Sequence, residues 1–206
     1  MYVPEYFQPT DEQVRELLRN HGAVDLVTAT PTGLRSTMLP MVWIESDNVL
    51  LGHVARKNDH WQQPVIGEAM AIMRGPDAYI TPTWYETKRE HGRVVPTWNY
   101  ITAHVYGELV IHDDAAFVER NVRALVEKHE AARDPSWAVD DAPANFIEGQ
   151  LKAIVGVELR ISRVSAKFKL SQNRSAEDVA GVIDGLAAEG AQPISDAVRE
   201  AARSRT

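Results

Sequence analysis

The chain has 206 residues, of which 44% are hydrophobic and 25% are charged, and its formal net charge is −7. This composition is typical of a globular protein of one domain, and the acidic balance argues against a large surface for nucleic-acid phosphates. The absence of cysteine excludes disulfides, thiolate catalysis and cysteine-based zinc sites. No apolar run reaches the roughly 18 to 20 residues of a membrane span, and the first residues lack a signal-peptide pattern, so we expect a cytoplasmic protein.

The first half of the chain predicts one helix followed by strands. Thr10 and Gln13 have the spacing of a capping box, and the apolar stripe after them predicts a helix that ends near Gly22. β-branched runs then predict an antiparallel meander, two further short strands and one long strand, in which Gly107 marks a bulge or a close backbone approach. The ranges of these strands are 23–30, 34–44, 49–55, 69–73, 77–82 and 97–112.

The second half alternates helices with one more strand. Helical spacing predicts helices over 114–132 and 144–151, and an alternating pattern predicts a strand over 154–168. Ser175 is placed to cap a last helix that ends at Gly190, and a tail rich in alanine and arginine follows. The fold class is therefore α+β, built around a mostly antiparallel barrel. We expect a single domain over 1–206, with a helical C-terminal segment at 175–206.

Two clusters of polar residues occur in the predicted meander. In the first, a strand offers a guanidinium and two hydroxyls before a proline, which suits a flavin ring and phosphate but also an ordinary edge strand. In the second, a strand gives way to a turn rich in the donors that a phosphate monoester needs, and a solvated turn is the alternative. The clusters are Arg35-Ser36-Thr37-Met38 and His53-Val54-Ala55-Arg56-Lys57-Asn58.

Two later clusters combine aromatic rings with hydroxyl, amide and cationic groups. The segment 79–85 pairs Trp84 and Tyr85 with Thr81 and Thr83, which is typical of a wall for a planar heterocycle or of a dimer interface. The segments 95–100 and 167–174 add indole, amide and ammonium donors, although either could be a structural turn. No dinucleotide fingerprint, phosphate loop, zinc-protease or nucleophile-elbow motif is present, so we predict no metal site and assign no catalytic residue.

Taken in order, these clusters resemble the PaiB-type family of FMN-binding negative transcriptional regulators, which are relatives of the pyridoxamine-phosphate-oxidase-like split barrels. The matching motifs are MYVPEYF, HVARKN, AYITPTWY, VPTWNY and KFKLSQNRSAEDVAGVIDGL. The resemblance implies a six-stranded split β-barrel and a homodimer, with two FMN sites at the subunit interface. Threonine stands at positions 81 and 83 where serine is expected, which keeps the hydroxyls but changes the width of the pocket.

The resemblance also implies a role for individual residues. The strand residues Arg35, Ser36, Thr37 and Met38 would line the ring and the ribityl chain. A second group, His53, Arg56, Lys57 and Asn58, would hold the phosphate. The residues Thr83, Trp84 and Trp98 would frame the ring, while Lys169 and Gln172 would approach it from the end of the last strand.

Three functions remain open on the sequence alone. The family implies a regulator that responds to its flavin, the alternative is a small FMN-dependent oxidoreductase using a reduced nicotinamide, and the third is a dimeric scaffold with a vestigial pocket. DNA is a possible partner, but no helix-turn-helix pattern is present and the charge does not support direct binding. A local patch at Arg199 to Arg205 would be the exception, and it is equally typical of a solvated helix face.

Overall fold

The computed structural model describes residues 1–204, which form six helices and six strands as well as short 3-10 turns. The strands are β1 (Ala23–Thr30), β2 (Gly33–Ile44), β3 (Val49–Ala55), β4 (Ala69–Ile80), β5 (Thr97–His112) and β6 (Ile154–Lys169). The helices are α1 (Asp11–Asn20), α2 (Thr87–Glu90), α3 (Ala115–Glu130), α4 (Ala144–Lys152), α5 (Ala176–Ala188) and α6 (Gln192–Arg203).

The six strands form a closed barrel in the order β1, β2, β3, β6, β5, β4. The registers of β1 with β2 and β4, of β2 with β3, and of β3 with β6 are all antiparallel. The predicted class, an α+β fold around an antiparallel barrel, is confirmed. Closure removes the open sheet edges that would otherwise expose unpaired backbone groups.

Most element boundaries agree with the predictions from sequence, with one difference in the strands. The two short strands predicted at 69–73 and 77–82 are one continuous strand, β4, and Pro82 begins a 3-10 turn instead. The segment predicted to be helical at the C-terminus contains α5 and α6, and in α6 Ile194 and Val198 are buried at helical spacing. Gly107 makes the predicted close approach, because a Cβ there would overlap the backbone of Arg160.

The chain divides into two compact units, which we call the larger and the smaller unit. The larger unit comprises Arg15–Met73 and His104–Val164. In it, α3 packs against β2 and β3, and Asn121 of this helix donates a hydrogen bond to the carbonyl oxygen of Gly52. This contact holds the middle of β3, from which the predicted phosphate-binding residues follow.

The smaller unit comprises Met1–Val14, Arg74–Ala103 and the described chain from Ser165 onward. Here α5 and α6 pack against each other, and Ser195 of α6 donates a hydrogen bond to the carbonyl oxygen of Ile183 in α5. The Thr10–Gln13 capping box is present at the start of α1, with both reciprocal hydrogen bonds formed. Within residues 1–204, none of the helices combines the length and apolar character needed to traverse a bilayer.

Candidate functional site

Strand β2 separates the four residues of the first predicted cluster onto two faces. Side chains of a strand point alternately to opposite sides, so Arg35 and Thr37 share a face with the buried Leu39, whereas Ser36 and Met38 are exposed on the other face. These four residues were predicted to line one flavin together. Within β2, they provide two separate surfaces, one polar and inward, the other outward.

The inward hydroxyl of Thr37 belongs to a network centred on His60. The two ring nitrogens of His60 lie 2.7 Å from Thr28 Oγ1 and 2.8 Å from Thr37 Oγ1. Asn58 donates to Thr37 Oγ1 at 3.3 Å and accepts from the His60 backbone N–H at 3.0 Å, which caps the 3-10 turn at 59–62. The network fixes two of the predicted site residues, Thr37 and Asn58, against a buried ring.

His60 is a functional candidate that the sequence reasoning missed. It is only 4% exposed, and burial together with the positive charge of Arg35 lowers its pKa below the ordinary histidine value. A neutral imidazole donates from one nitrogen and accepts at the other, which suits a bridge between two hydroxyls. The available signal was its position two residues after Asn58, at the spacing of an Asx cap.

Arg35 is held by an ion pair, and one of its donor atoms is buried and unused. Its Nη1 donates to Asp59 Oδ1 at 2.9 Å. Its Nε is buried and has no hydrogen-bond partner among the described residues. Buried polar groups are satisfied in nearly all native proteins, so an unpaired guanidinium nitrogen is a position where a ligand acceptor fits.

Arg56 is largely committed to partners within the chain. Its Nε donates to the carbonyl oxygen of Lys152 at 2.8 Å, and its two Nη atoms donate to both oxygens of Asp113, at 3.0 and 2.6 Å. A further contact joins Nη2 to the carbonyl oxygen of Ile154 at 3.2 Å. These bonds occupy most of the five N–H donors of a guanidinium. Asp113 therefore accepts hydrogen bonds from the guanidinium that was predicted to bind the phosphate.

The other predicted phosphate ligands differ in whether their polar atoms are available to a ligand. His53 of β3 is paired in register with Gly156 of β6. Its Nδ1 is buried and has no hydrogen-bond partner within residues 1–204, and burial lowers its pKa. Lys57 is exposed in the turn that follows Arg56. Trp61 braces this turn by donating from its indole to the carbonyl oxygen of Arg56 at 3.0 Å.

In the smaller unit, Trp84 is seated against helix α5. A Cβ on Gly185 would overlap the indole ring of Trp84, and one on Gly181 would overlap its carbonyl oxygen. Thr81 caps the turn that carries Trp84, and its hydroxyl lies 2.9 Å from that of Thr83. Trp84 keeps part of its surface exposed, so it can still face a ligand.

An exposed aromatic pair lies beside the predicted lysine in the smaller unit. The rings of Trp98 and Tyr79 meet edge to face with centroids 6.1 Å apart, and they are 53% and 48% exposed. Lys169 donates to Thr97 Oγ1 and to the carbonyl oxygen of Trp98, so the structure brings two of the predicted ring contacts together. Burial, followed by the nearby charge of Lys167, lowers the pKa of Lys169.

Gln172 has a structural role in the strand exit. Its Oε1 accepts from the Leu170 N–H at 2.7 Å and its Nε2 donates to the carbonyl oxygen of Phe168 at 2.6 Å. The side-chain amide thereby stabilises a tight turn in which Ser171 has a positive φ of 65° and bonds to the buried Asn99. Its predicted approach to the flavin stays a prediction.

Sequence comparison identifies the family. A family model described as "Putative FMN-binding domain" matches residues 1–163. The chain is also 33% identical over 190 residues to "Protease synthase and sporulation protein PAI 2" of Bacillus subtilis, covering 90% of this chain and 89% of that protein. The chain belongs to the PaiB-type FMN-binding family. Its membership confirms both the predicted family and FMN as the predicted cofactor.

Solved structures with the same fold include flavin proteins. The PaiB-type chain matches the flavocytochrome Anf3 from Azotobacter vinelandii with a TM-score of 0.60 at 15% identity, covering 87% of this chain and 78% of that one. It matches the FAD and heme binding protein from Mycobacterium smegmatis with a TM-score of 0.58 at 15% identity, covering 85% and 80%. At these identities the likeness supports the fold of the PaiB-type chain.

The PaiB-type chain has available side-chain groups of the kinds that bind FMN. A phosphate needs cationic donors, and the larger unit offers the exposed Lys57. The unpaired Nε of Arg35 is a further donor for an acceptor atom of the cofactor. A planar ring needs flat apolar surfaces with polar edges, and the smaller unit offers Trp84 and Trp98. The donor set fits the cofactor, whose isoalloxazine ring supplies the redox chemistry when it is bound.

Proposed function

We propose that this PaiB-type chain is a regulatory flavoprotein that responds to the state of its FMN and does not turn over a substrate. Support comes from the family and from the Bacillus relative, whose name refers to protease synthase and sporulation. The proposed binding of the flavin ring is supported by the exposed Trp98–Tyr79 pair, beside which Lys169 donates a hydrogen bond to the carbonyl oxygen of Trp98. Two adjacent, half-exposed aromatic rings offer a flat apolar surface that suits a planar ligand.

In this proposal, the chain's own residues hold the two ends of the cofactor. The phosphate takes hydrogen bonds from the turn at 56–58, as the family resemblance implies. The ring packs on Trp84 and Trp98, and the ammonium of Lys169 stabilises negative charge at a polar edge of the ring.

The ring contact is tested by replacing Trp98 with alanine. Loss of one stacking side chain should weaken FMN binding by roughly tenfold, on the order of 1 to 1.5 kcal/mol. Trp137 is a matched control, because it is also an exposed tryptophan, at 43%, but belongs to a loop of the larger unit that carries no predicted site residue. Equal affinities for the wild type, Trp98→Ala and Trp137→Ala proteins would refute the contact.

The alternative function, an FMN-dependent oxidoreductase, makes a different prediction. An oxidoreductase would accept hydride from a reduced nicotinamide, so its yellow colour would bleach when NADH or NADPH is added without oxygen. We expect the colour to persist with both donors. Rapid bleaching by either one would replace the regulatory proposal with the enzymatic one.

We also propose that the chain is a homodimer with FMN at the subunit interface. Support comes from the outer face of β1, β2 and β4 in the larger unit, where Leu34 and Met38 are 79% and 73% exposed. In the registers, Met38 lies opposite Asp25, which lies opposite Ile72, so this face continues across three strands. Sedimentation should give a dimer for the wild type and a monomer for Met38→Glu, and a monomeric wild type would contradict the proposal.

Regulation through direct DNA binding has little support in the charges. Arg199 pairs with Asp196 and Arg203 with Glu200, so the described arginines of the predicted C-terminal patch are neutralised within α6. Arg205 lies outside the described residues. We expect no competitor-resistant gel shift at physiological salt, and a nanomolar shift would show that the regulator reads DNA itself.

A further inference from the structure

Helix α5 lies unusually close to the segment that carries Trp84. Gly181 and Gly185 are one helical turn apart and face Trp84, and each meets a different part of it. A side chain at Gly181 would meet the backbone, and one at Gly185 would meet the middle of the indole ring. Neither obstacle is the movable end of a flexible side chain, so Trp84 would have to shift if either glycine gained a methyl group.

A second contact fixes the same segment to the same helix. Asp178 is 1% exposed, and its carboxylate accepts from the backbone N–H of Thr87 at 2.9 Å and from the Thr87 hydroxyl at 2.8 Å. Between the two attachment points, Tyr85 is 2% exposed, and the guanidinium of Arg174 lies 4.5 Å from the centroid of its ring. The short segment 84–87 is therefore held at its beginning, middle and end.

These contacts leave the indole little freedom to turn. A tryptophan loses side-chain entropy when it binds a ligand, unless its rotamer is already fixed by packing. In Trp84 this entropy is already lost on folding, because one part of the ring packs against Gly185 while another part stays exposed. Such a ring is a preorganised wall for a flat ligand.

We propose that Gly185 and Gly181 are positioning residues of the FMN site, and that they act by setting the place of Trp84. The C-terminal helices, which lie beyond the residues matched by the family model, are then part of the cofactor site and not an appendage. This inference rests on the proposed contact between Trp84 and the flavin. It adds that the affinity for FMN is controlled from α5, by residues that do not touch the cofactor.

The test compares two glycine-to-alanine substitutions in helices. Gly185→Ala forces the indole to move, whereas Gly149→Ala in α4 is a matched control because nothing lies within 4 Å of a Cβ at that position. Alanine is the better helix former at both sites, by about 1 kcal/mol, so neither change should weaken its helix intrinsically. The readouts are the FMN dissociation constant, the visible circular dichroism of bound FMN, and the melting temperature without FMN.

We expect Gly185→Ala to raise the FMN dissociation constant at least tenfold and to alter the circular dichroism of any bound flavin. We expect Gly149→Ala to match the wild type in both. An unchanged affinity and spectrum in Gly185→Ala would overturn the proposal. If the wild type itself binds no FMN, the proposed function fails, and this outcome is distinct from a wild type that binds FMN as well as the variant does.

A second pair of variants keeps the proposal testable if Gly185→Ala does not fold. Thr87→Val removes the hydroxyl that bonds to Asp178 but keeps the shape of the side chain, whereas Thr87→Ser keeps the hydroxyl. We expect Thr87→Val to weaken FMN binding about threefold and Thr87→Ser to bind FMN as tightly as the wild type does. Equal affinities in the two Thr87 variants and the wild type would count against the proposal.

Discussion

The two units of the chain hold their predicted site residues in different ways. In the larger unit, the polar residues bind one another: Arg56 is clamped by Asp113, and Thr37 and Asn58 are tied to His60. In the smaller unit, Trp84 is held by packing against glycines, and Trp98 keeps a largely exposed ring. The difference suggests that the polar residues of the larger unit form a rigid network with a few donors left for a ligand. The aromatic residues of the smaller unit provide exposed apolar surface on which a ring can pack.

The largest effect should come from removing the ring at the centre of the polar network. His60→Ala would remove the partner of the buried Thr28 hydroxyl and one of the two partners of the Thr37 hydroxyl. We expect the free energy of unfolding to fall by about 2 to 4 kcal/mol. Urea denaturation measures it, and a loss below about 1 kcal/mol would show that the network contributes little rigidity.

The next effect should appear on acidification and belongs to the larger unit, which contains the buried histidines. Burial, followed by the nearby Lys128, lowers the pKa of His21 from 6.5 to about 4. Because the folded-state pKa is depressed, the stabilisation is fully present above pH 6.5 and is lost as the pH falls towards 4. At pH 5 this histidine alone should cost about 2 kcal/mol.

The measurement is urea denaturation at pH 7.5 and pH 5.0 for the wild type and for His21→Gln. We expect the wild type to lose more stability than the variant between the two pH values. His60 and His53, whose pKa values are also lowered by burial, should leave a residual pH dependence in the variant. Parallel pH profiles in the two proteins would contradict the assignment to His21.

A smaller effect separates the two possible roles of Arg56. If this residue holds the phosphate of FMN, Arg56→Ala should weaken FMN binding roughly tenfold or more, the scale of a lost charge-assisted hydrogen bond. Asp113→Asn should then change the affinity less than threefold, because the guanidinium is still present. Weakening by the same factor in both variants would show instead that the Arg56–Asp113 pair shapes the turn.

Much of the fold was predictable because local patterns decide it. Residue spacing predicts the capping box at Thr10. Hydrophobic periodicity predicts the strands β1 to β3 and the long strand β5. The break predicted within β4 contains Gly75 and Pro76, but the missing side chain of Gly75 makes room for Ile101 of β5 and the strand continues. That partner is distant in sequence, so local reasoning could not find it.

The site was predictable as a set of residues but not as an arrangement. Motifs identified Arg56 and Trp84, whereas nothing in the local sequence pairs them with Asp113 and Gly185, which become their neighbours only on folding. Strand alternation could have separated Ser36 from Thr37 in advance, because a strand cannot direct consecutive side chains to one face. The buried role of His60 depended on β1 and β2 meeting the turn at 59–62.

Binding of FMN to this chain is measured by an equilibrium titration of the purified flavin-free protein with FMN. The absorbance and fluorescence of the flavin report binding, and the melting temperature is followed in parallel. The account predicts saturation at one FMN per chain and a rise in melting temperature with FMN concentration. A titration without saturation, together with a melting temperature that FMN does not change, would contradict it.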